Sequence, residues 1–354
     1  MPTDNDPEPT TSPGNTTTWK AAPGWTLGGL AAASAGDEGA IAYAESDAGD
    51  ADGVMKTHLK LQRLDAAGAA RGPAIELGTV SAVYRPTLSL ASDGSRYLAC
   101  WQMQSQIDCV TVPVSKGPVS PALSVVGVNP SLAYGSGTLA LAYGIPGHLA
   151  VQRVASDGSA SGVPALFATG GDKQPTAFLA ASRLGFVLAG EASGDTADGD
   201  EVYVRRLNSA LAPVVGPVDL GVKLWFHGAI AASETSVAVS MAKPYGAMLF
   251  ILDLVSGTVT STHELSGGSK TGLDVTLAGD GASFDMLSAN DTDGINYSSI
   301  AGGKLIASEQ ALVADGGRYT EGTIALLRIH GELFVAATQG WLGQELIVTP
   351  AHRP

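Results

Sequence analysis

"RPTLSLASDGSRYLACWQMQSQIDCVTVPVSKG", residues 85–117, holds three short apolar runs separated by turn signals. The first run is built of small residues and ends in Asp93-Gly94, a dipeptide that favours the primed turns of two-residue hairpins. The second and third runs flank Gln104 and Ser105. With those two residues at a hairpin tip, Met103 faces Gln106, Gln102 faces Ile107, Trp101 faces Asp108 and Cys100 faces Cys109. Counted out from the tip, the cysteine pair falls at a non-hydrogen-bonded position. There the Cα atoms approach most closely and a cross-strand disulfide fits. The stretch therefore reads as successive antiparallel strands, stapled by Cys100 and Cys109. Two buried free thiols are the alternative. A disulfide implies an oxidising compartment.

The same succession recurs. Small-residue openings include "GGLAAASAGDEG", "NPSLAYGSG", "QPTAFLAAS", "HGAIAASE", "TGLDVTLAGDG" and "EGTIALLRIHG", each followed by two further apolar runs. The third runs align on Leu64, Val114, Val154, Leu207, Leu254, Ile300 and Ala351, at spacings of 40 to 53 residues. A weaker fourth run, such as "PAIELGTV", follows most of them. Seven such units of about 48 residues, without helical periodicity, predict an all-β seven-bladed β-propeller of four-stranded antiparallel blades. The opening strand is poorest in side-chain volume because inner strands converge on an axis where Ala, Gly and Ser leave room. Six or eight blades remain open if one unit boundary is misplaced.

The seventh unit stops after three strands, and "TTTWKAA", residues 16–22, is the expected replacement for its outer strand. That pairing would close the ring, cover an open edge and set Trp19 between the first and last blades. Residues 1–15 are rich in Pro, Thr and Asp, lack an apolar cluster and read as a disordered leader; residues 16–354 read as one propeller. The unit style "HLKLQRLDAAGAARG" resembles repeat propellers of predicted bacterial surface lipoproteins. The polar leader resembles the tether behind their lipid-anchored cysteine. The resemblance implies fold and an extracytoplasmic site, with the export signal removed ahead of Met1, and it implies no activity. The Trp-Asp and Gly-His marks of WD40 repeats and the sialidase boxes are missing.

Composition narrows the function classes. The 354-residue chain is 45% hydrophobic, 15% charged and carries 45 glycines, which suits many short strands. Its net charge of −14 argues against a nucleic-acid partner, which needs a dense basic patch. No apolar run is long enough for a transmembrane helix. A monomer is expected.

The unusual residues gather at the connections between units. Trp25 precedes the first inner strand, Tyr84 and Arg85 the second, Asn129 the third, and Lys173 and Gln174 the fourth. Lys223, Trp225, Phe226 and His227 precede the fifth, Lys270 the sixth, and Arg318 and Tyr319 the seventh. In a propeller these connections open on one face, together with the loops between second and third strands. Rings and cations around that mouth suit stacking on a sugar and pairing with a carboxylate or sulfate. The alternative is that the rings plug the channel and the cations solvate the loops.

Three second-to-third loops are rich in carboxylates: "ESDAGDADG" (Glu45, Asp47, Asp50, Asp52), "EASGDTADGDE" (with Asp195, Asp198 and Asp200) and "NDTDG". They resemble the calcium loops of propeller repeats in integrin heads. That likeness implies Ca2+ held by Asp195, Asp198 and Asp200, against ordinary turn chemistry. Scattered histidines give no catalytic triad or metal pattern. The expected function is an exported binding or scaffold module with a glycan or anionic ligand at the channel mouth. One alternative is a carbohydrate-active hydrolase or lyase at the same mouth, where "RYTEG" (Arg318, Tyr319, Glu321) beside Arg85 resembles part of a glycoside-cleaving site. The other is a structural protein-interaction module.

Overall fold

The computed structural model describes residues 10–11, 16–50, 52–169, 174–192, 200–224, 228–243, 246–266, 274–280, 283–290, 294–313, 324–339 and 343–351. They form strands and turns with no helix, so no described helix could cross a membrane. Seven antiparallel sheets hold the strands in chain order, which settles the blade count at seven.

Blade 1 comprises Thr26–Ala35, Glu38–Ser46, Met55–Leu64 and Ile75–Ala82. Blade 2 comprises Leu88–Ser92, Arg96–Met103, Gln106–Pro113 and Ser120–Val126, and blade 3 Val128–Gly135, Thr138–Ile145, His148–Val154 and Ala160–Ala168. Blade 4 runs from Ala177–Ser182 to Pro213–Leu224, blade 5 from Gly228–Ala232 to Val259–Ser266, and blade 6 from Asp274–Asp280 to Lys304–Val313. Blade 7 has Ile324–Ile329, Glu332–Gln339 and Glu345–Pro350 from the end of the chain and Thr17–Lys20 from its beginning.

Ring closure follows the sequence expectation. Thr17 pairs with Val348 and Lys20 with Glu345, antiparallel. Thr10–Thr11 adds a further short strand beside Thr17 and Thr18. Trp19 is 5% exposed and packs with Leu27, Ile41 and Tyr43 of blade 1 and with Leu327, Phe334 and Leu346 of blade 7. Each inner strand touches the inner strand of the next blade, and the seventh touches the first.

The core is divided. One apolar cluster fills each junction between neighbouring blades. Strand alternation supplies both faces of each blade: Ala40, Ala42 and Ala44 face blade 2, while Ile41 and Tyr43 face blade 7. Small residues let the wedges meet near the axis. Gly144, in the second strand of blade 3, allows a different close approach, because a Cβ there would collide with the carbonyl oxygen of Pro175 in the next connection. Serines lace the inner strands together: Leu132 N–H donates to Ser89 Oγ at 2.9 Å, and Leu179 N–H to Ser131 Oγ at 2.9 Å.

The hairpin of blade 2 has the expected register, with Cys100 opposite Cys109. Their disulfide spans a Cα–Cα distance of 4.1 Å and is buried at the junction with blade 3.

Three outcomes check these elements. Trp19→Ala should lower the unfolding free energy by about 3–5 kcal/mol in urea titration, as truncation of a buried Trp does. Val163→Ala, at a side chain 92% exposed, should stay within about 0.5 kcal/mol of the parent. Dithiothreitol should lower the urea midpoint by the equivalent of about 2–3 kcal/mol, the chain-entropy value for so short a closed loop; an unchanged midpoint would mean that the disulfide does not stabilise the fold.

Candidate functional site

The seven inner strands enclose a channel of about 380 Å3, lined mostly by small and apolar residues, among them Ala31, Ser89, Ser131, Phe178, Ile230, Leu277 and Ala325. At its connection end the channel runs into a wider cavity of about 600 Å3, and the two share Leu30, Thr87, Leu88 and Asn129. The cavity lies among blades 1, 2 and 3. Its walls are the connection from Ala82 to Leu88, the hairpin tip Gln102–Gln104, Asn129, and Gly29 and Leu30 of the first inner strand. Its volume falls within the usual range of about 300–1,000 Å3 for small-ligand sites.

Two of the sequence-predicted binding residues meet there. Tyr84 stands at the rim, 82% exposed. Arg85 folds inward, and its Nη2 donates to Thr26 Oγ1 at 2.6 Å. Gly28 makes room for it, since a Cβ there would lie 2.6 Å from Arg85 Nη1. Burial lowers the pKa of the Arg85 guanidinium from its ordinary value, the direction expected when a cation is desolvated.

Across the cavity a chain of amides is fixed in place. Asn129 N–H donates to Gln102 Oε1 at 2.6 Å, Gln102 Nε2 donates to the Gln104 carbonyl at 2.8 Å, and Asn129 Nδ2 donates to Thr176 Oγ1 at 3.2 Å. Gln104 and Asn129 both have φ of 53°, a region that non-glycine residues seldom occupy. Of the five described non-glycine residues with positive φ, two line this one cavity, which is where such strain tends to collect.

Sequence reasoning missed the hairpin tip Gln102–Gln104. The signal was present: the tip follows a second strand, so it must open on the same face as the connections.

Other expected residues lie elsewhere or outside the described residues. Trp25 turns away from the cavity and packs on His58, with ring centroids 5.2 Å apart. His58 in turn pairs with Glu76 at 3.0 Å. The backbone of Lys223 is in the outer strand of blade 4, opposite Glu201. Lys173, Trp225, Phe226, His227, Lys270, Arg318, Tyr319 and Glu321 are outside the described residues.

The acidic loop of blade 1 uses its carboxylates on its own backbone. Asp47 Oδ1 accepts the N–H groups of Gly49 and Lys56 at 3.0 and 2.9 Å, and Asp50 Oδ1 those of Asp52 and Val54 at 2.9 and 3.0 Å. Glu45 is buried against Lys60 Nζ at 2.8 Å and accepts the Ala22 N–H at 2.9 Å, which anchors the incoming chain to blade 1. This is turn and anchoring chemistry. Of the expected Ca2+ ligands, Asp195 and Asp198 lie outside the described residues, and Asp200 opens the third strand of blade 4, its backbone opposite Leu224. Among the described residues no group of three or more His, Cys, Asp and Glu is placed to hold a metal ion.

No protein-family model and no curated protein matches the chain. Many solved structures share its fold. An acylaminoacyl peptidase of Pyrococcus horikoshii is 10% identical with a TM-score of 0.50, and the match covers 91% of this chain and 52% of the peptidase. The chain thus spans about half the length of that protein. The WD40 domain of Toxoplasma gondii coronin is 13% identical with a TM-score of 0.55, covering 98% of this chain and 90% of the domain. The polysaccharide lyase Uly1 is 9% identical with a TM-score of 0.53, covering 88% of each chain. Enzymes and a WD40 domain thus share one architecture with this chain, and at such identities the likeness establishes the β-propeller fold and nothing more specific.

Proposed function

We propose that the chain is an exported binding or scaffold module that takes a glycan or an anionic ligand at the mouth of its channel. The observation that carries this reading is the cavity among blades 1 to 3, where an exposed ring, Tyr84, and a desolvated cation, Arg85, face fixed amides. Such a cavity offers stacking area and hydrogen bonds, the two things a polyhydroxylated ligand needs.

The Cys100–Cys109 disulfide is consistent with an extracytoplasmic location. The repeat style and the polar leader suggest tethering at a bacterial surface. Lys173, Trp225, Phe226, His227, Lys270, Arg318 and Tyr319 would extend the same rim around the ring. No described residue lining the cavity is a carboxylate or a histidine, so a binding role fits these walls better than acid–base hydrolysis, which needs a carboxylate pair.

Tyr84→Ala tests the reading. The ring is mostly exposed, so the fold should be unaffected, with a melting temperature near that of the parent. Against a panel of immobilised glycans, the parent should bind a defined subset. The variant should bind that subset about 3- to 10-fold more weakly, the loss expected for a stacking contact. Equal binding by the two proteins would move the site away from this cavity, and no binding by the parent would overturn the glycan reading.

A further inference from the structure

The walls of the cavity among blades 1 to 3 divide into polar groups that the fold has used and polar groups that it has not. Arg85, the one charged residue among the described lining, is used: its guanidinium donates to Thr26 Oγ1 and has a further partner besides. Gln102 is used at both ends of its amide, by the Asn129 N–H and by the Gln104 carbonyl. Four other lining groups have no hydrogen-bond partner among the described residues: the Tyr84 and Thr87 hydroxyls, the Gln104 side-chain amide and Asn129 Oδ1. All four are uncharged. Gln104 is exposed and holds a φ of 53°, where glycine would cost less, so a glutamine retained there points to a use for its side chain.

The remaining walls are largely apolar, with Leu30, Val83, Pro86, Leu88 and Met103 among them, and Val83 is 53% exposed. A ligand that offered only hydroxyls would lose water against these side chains without return. A ligand with a formal charge would lose its hydration beside walls whose one charged group is committed to the fold. The complementary molecule is uncharged, offers donors and acceptors together, and carries a methyl group and a C–H face for the apolar wall.

We infer that the cavity recognises an uncharged acetamido sugar, an N-acetylhexosamine within a glycan. This rests on the binding reading above and chooses between its glycan and its anionic ligand. An acetamido group presents an N–H and a C=O, which the Gln104 amide answers with the opposite pair, and its methyl suits the apolar wall. The C–H face of the ring lies against Tyr84. Its hydroxyls reach Thr87 and Asn129, which line the cavity where it meets the channel. A capped peptide also offers amides and methyl groups; the two free hydroxyls and the exposed ring favour the sugar.

Titration calorimetry with five probes decides it. Four share a 1,4-linked disaccharide frame: diacetylchitobiose, cellobiose, chitobiose with its amines free, and cellobiouronate. The fifth is an acetylated, amidated tripeptide. Diacetylchitobiose should bind at least about 10-fold more tightly than each of the others, the size expected when a hydrogen-bonded amide is lost or a charge is desolvated. Raising sodium chloride from about 0.05 M to about 0.5 M should leave its affinity within about 2-fold, because no ion pair is there to be screened. Gln104→Gly, which suits the turn, should weaken diacetylchitobiose by about 3- to 10-fold and cellobiose less.

Cellobiose binding as tightly as diacetylchitobiose overturns the inference and leaves the binding reading standing, and so does an unchanged preference in Gln104→Gly. Tighter binding of cellobiouronate, of free-amine chitobiose or of the tripeptide overturns it in favour of an anion, a cation or a peptide. A loss of about 10-fold in high salt overturns it as well. Failure of all four disaccharides while other glycans bind overturns this inference alone; failure of every glycan overturns both readings. The comparison among probes uses the parent protein, so it stands even if the Gln104 variant does not fold.

Discussion

An open sheet edge at Glu345–Pro350 is the problem this structure has to solve. Left alone, it would expose a row of unpaired amides and strip blade 7 of its partner strand. Thr17–Lys20 solves it by crossing the full length of the chain, and Trp19 fills the apolar gap between blades 7 and 1. The hydrogen bonds cover the edge, and the indole packs across the junction of blades 7 and 1, which the short segment between Lys20 and Thr26 also connects. Every other junction is made between blades adjacent in sequence, so this one is the most distant contact in the fold and the one on which the channel's roundness depends.

Division of the core into seven wedges has a second effect. No single cluster dominates, and the inner strands need only be small enough to meet at the axis. The connections at the channel mouth are therefore released from packing duty. Tyr84 and Gln104 illustrate this, since both are exposed on a frame fixed beneath them. Arg85 shows the intermediate case: it is partly withdrawn, and it depends on a glycine and a threonine of the neighbouring inner strand for its place. That division explains how one architecture serves enzymes and a WD40 domain alike.

The fold was legible because it repeats. Small opening strands, Asp-Gly turns and even spacing each gave a weak signal, and seven copies made them strong. The disulfide was legible because hairpin register is arithmetic. Which connection residues turn inward was less so. Trp25 and Tyr84 occupy like positions ahead of inner strands, yet Trp25 packs on His58 of its own blade while Tyr84 stands over the cavity. That choice is made by neighbours in space, and no spacing rule encodes it. Gln102 and Gln104 are ordinary residues in composition; only the ring, by bringing their tip beside Asn129, gives them significance.

The antiparallel pairing of the two chain ends also fixes how the molecule responds to pulling. Thr17 lies opposite Val348 and Lys20 opposite Glu345, so the segments leading into Thr17 and out of Pro350 depart from the same end of the strand pair. Traction applied through both would peel that ladder apart one rung after another, the weak direction for a β-ribbon, and blade 7 would part long before the inner wedges felt the load. Traction through one segment alone would leave the ladder unstressed.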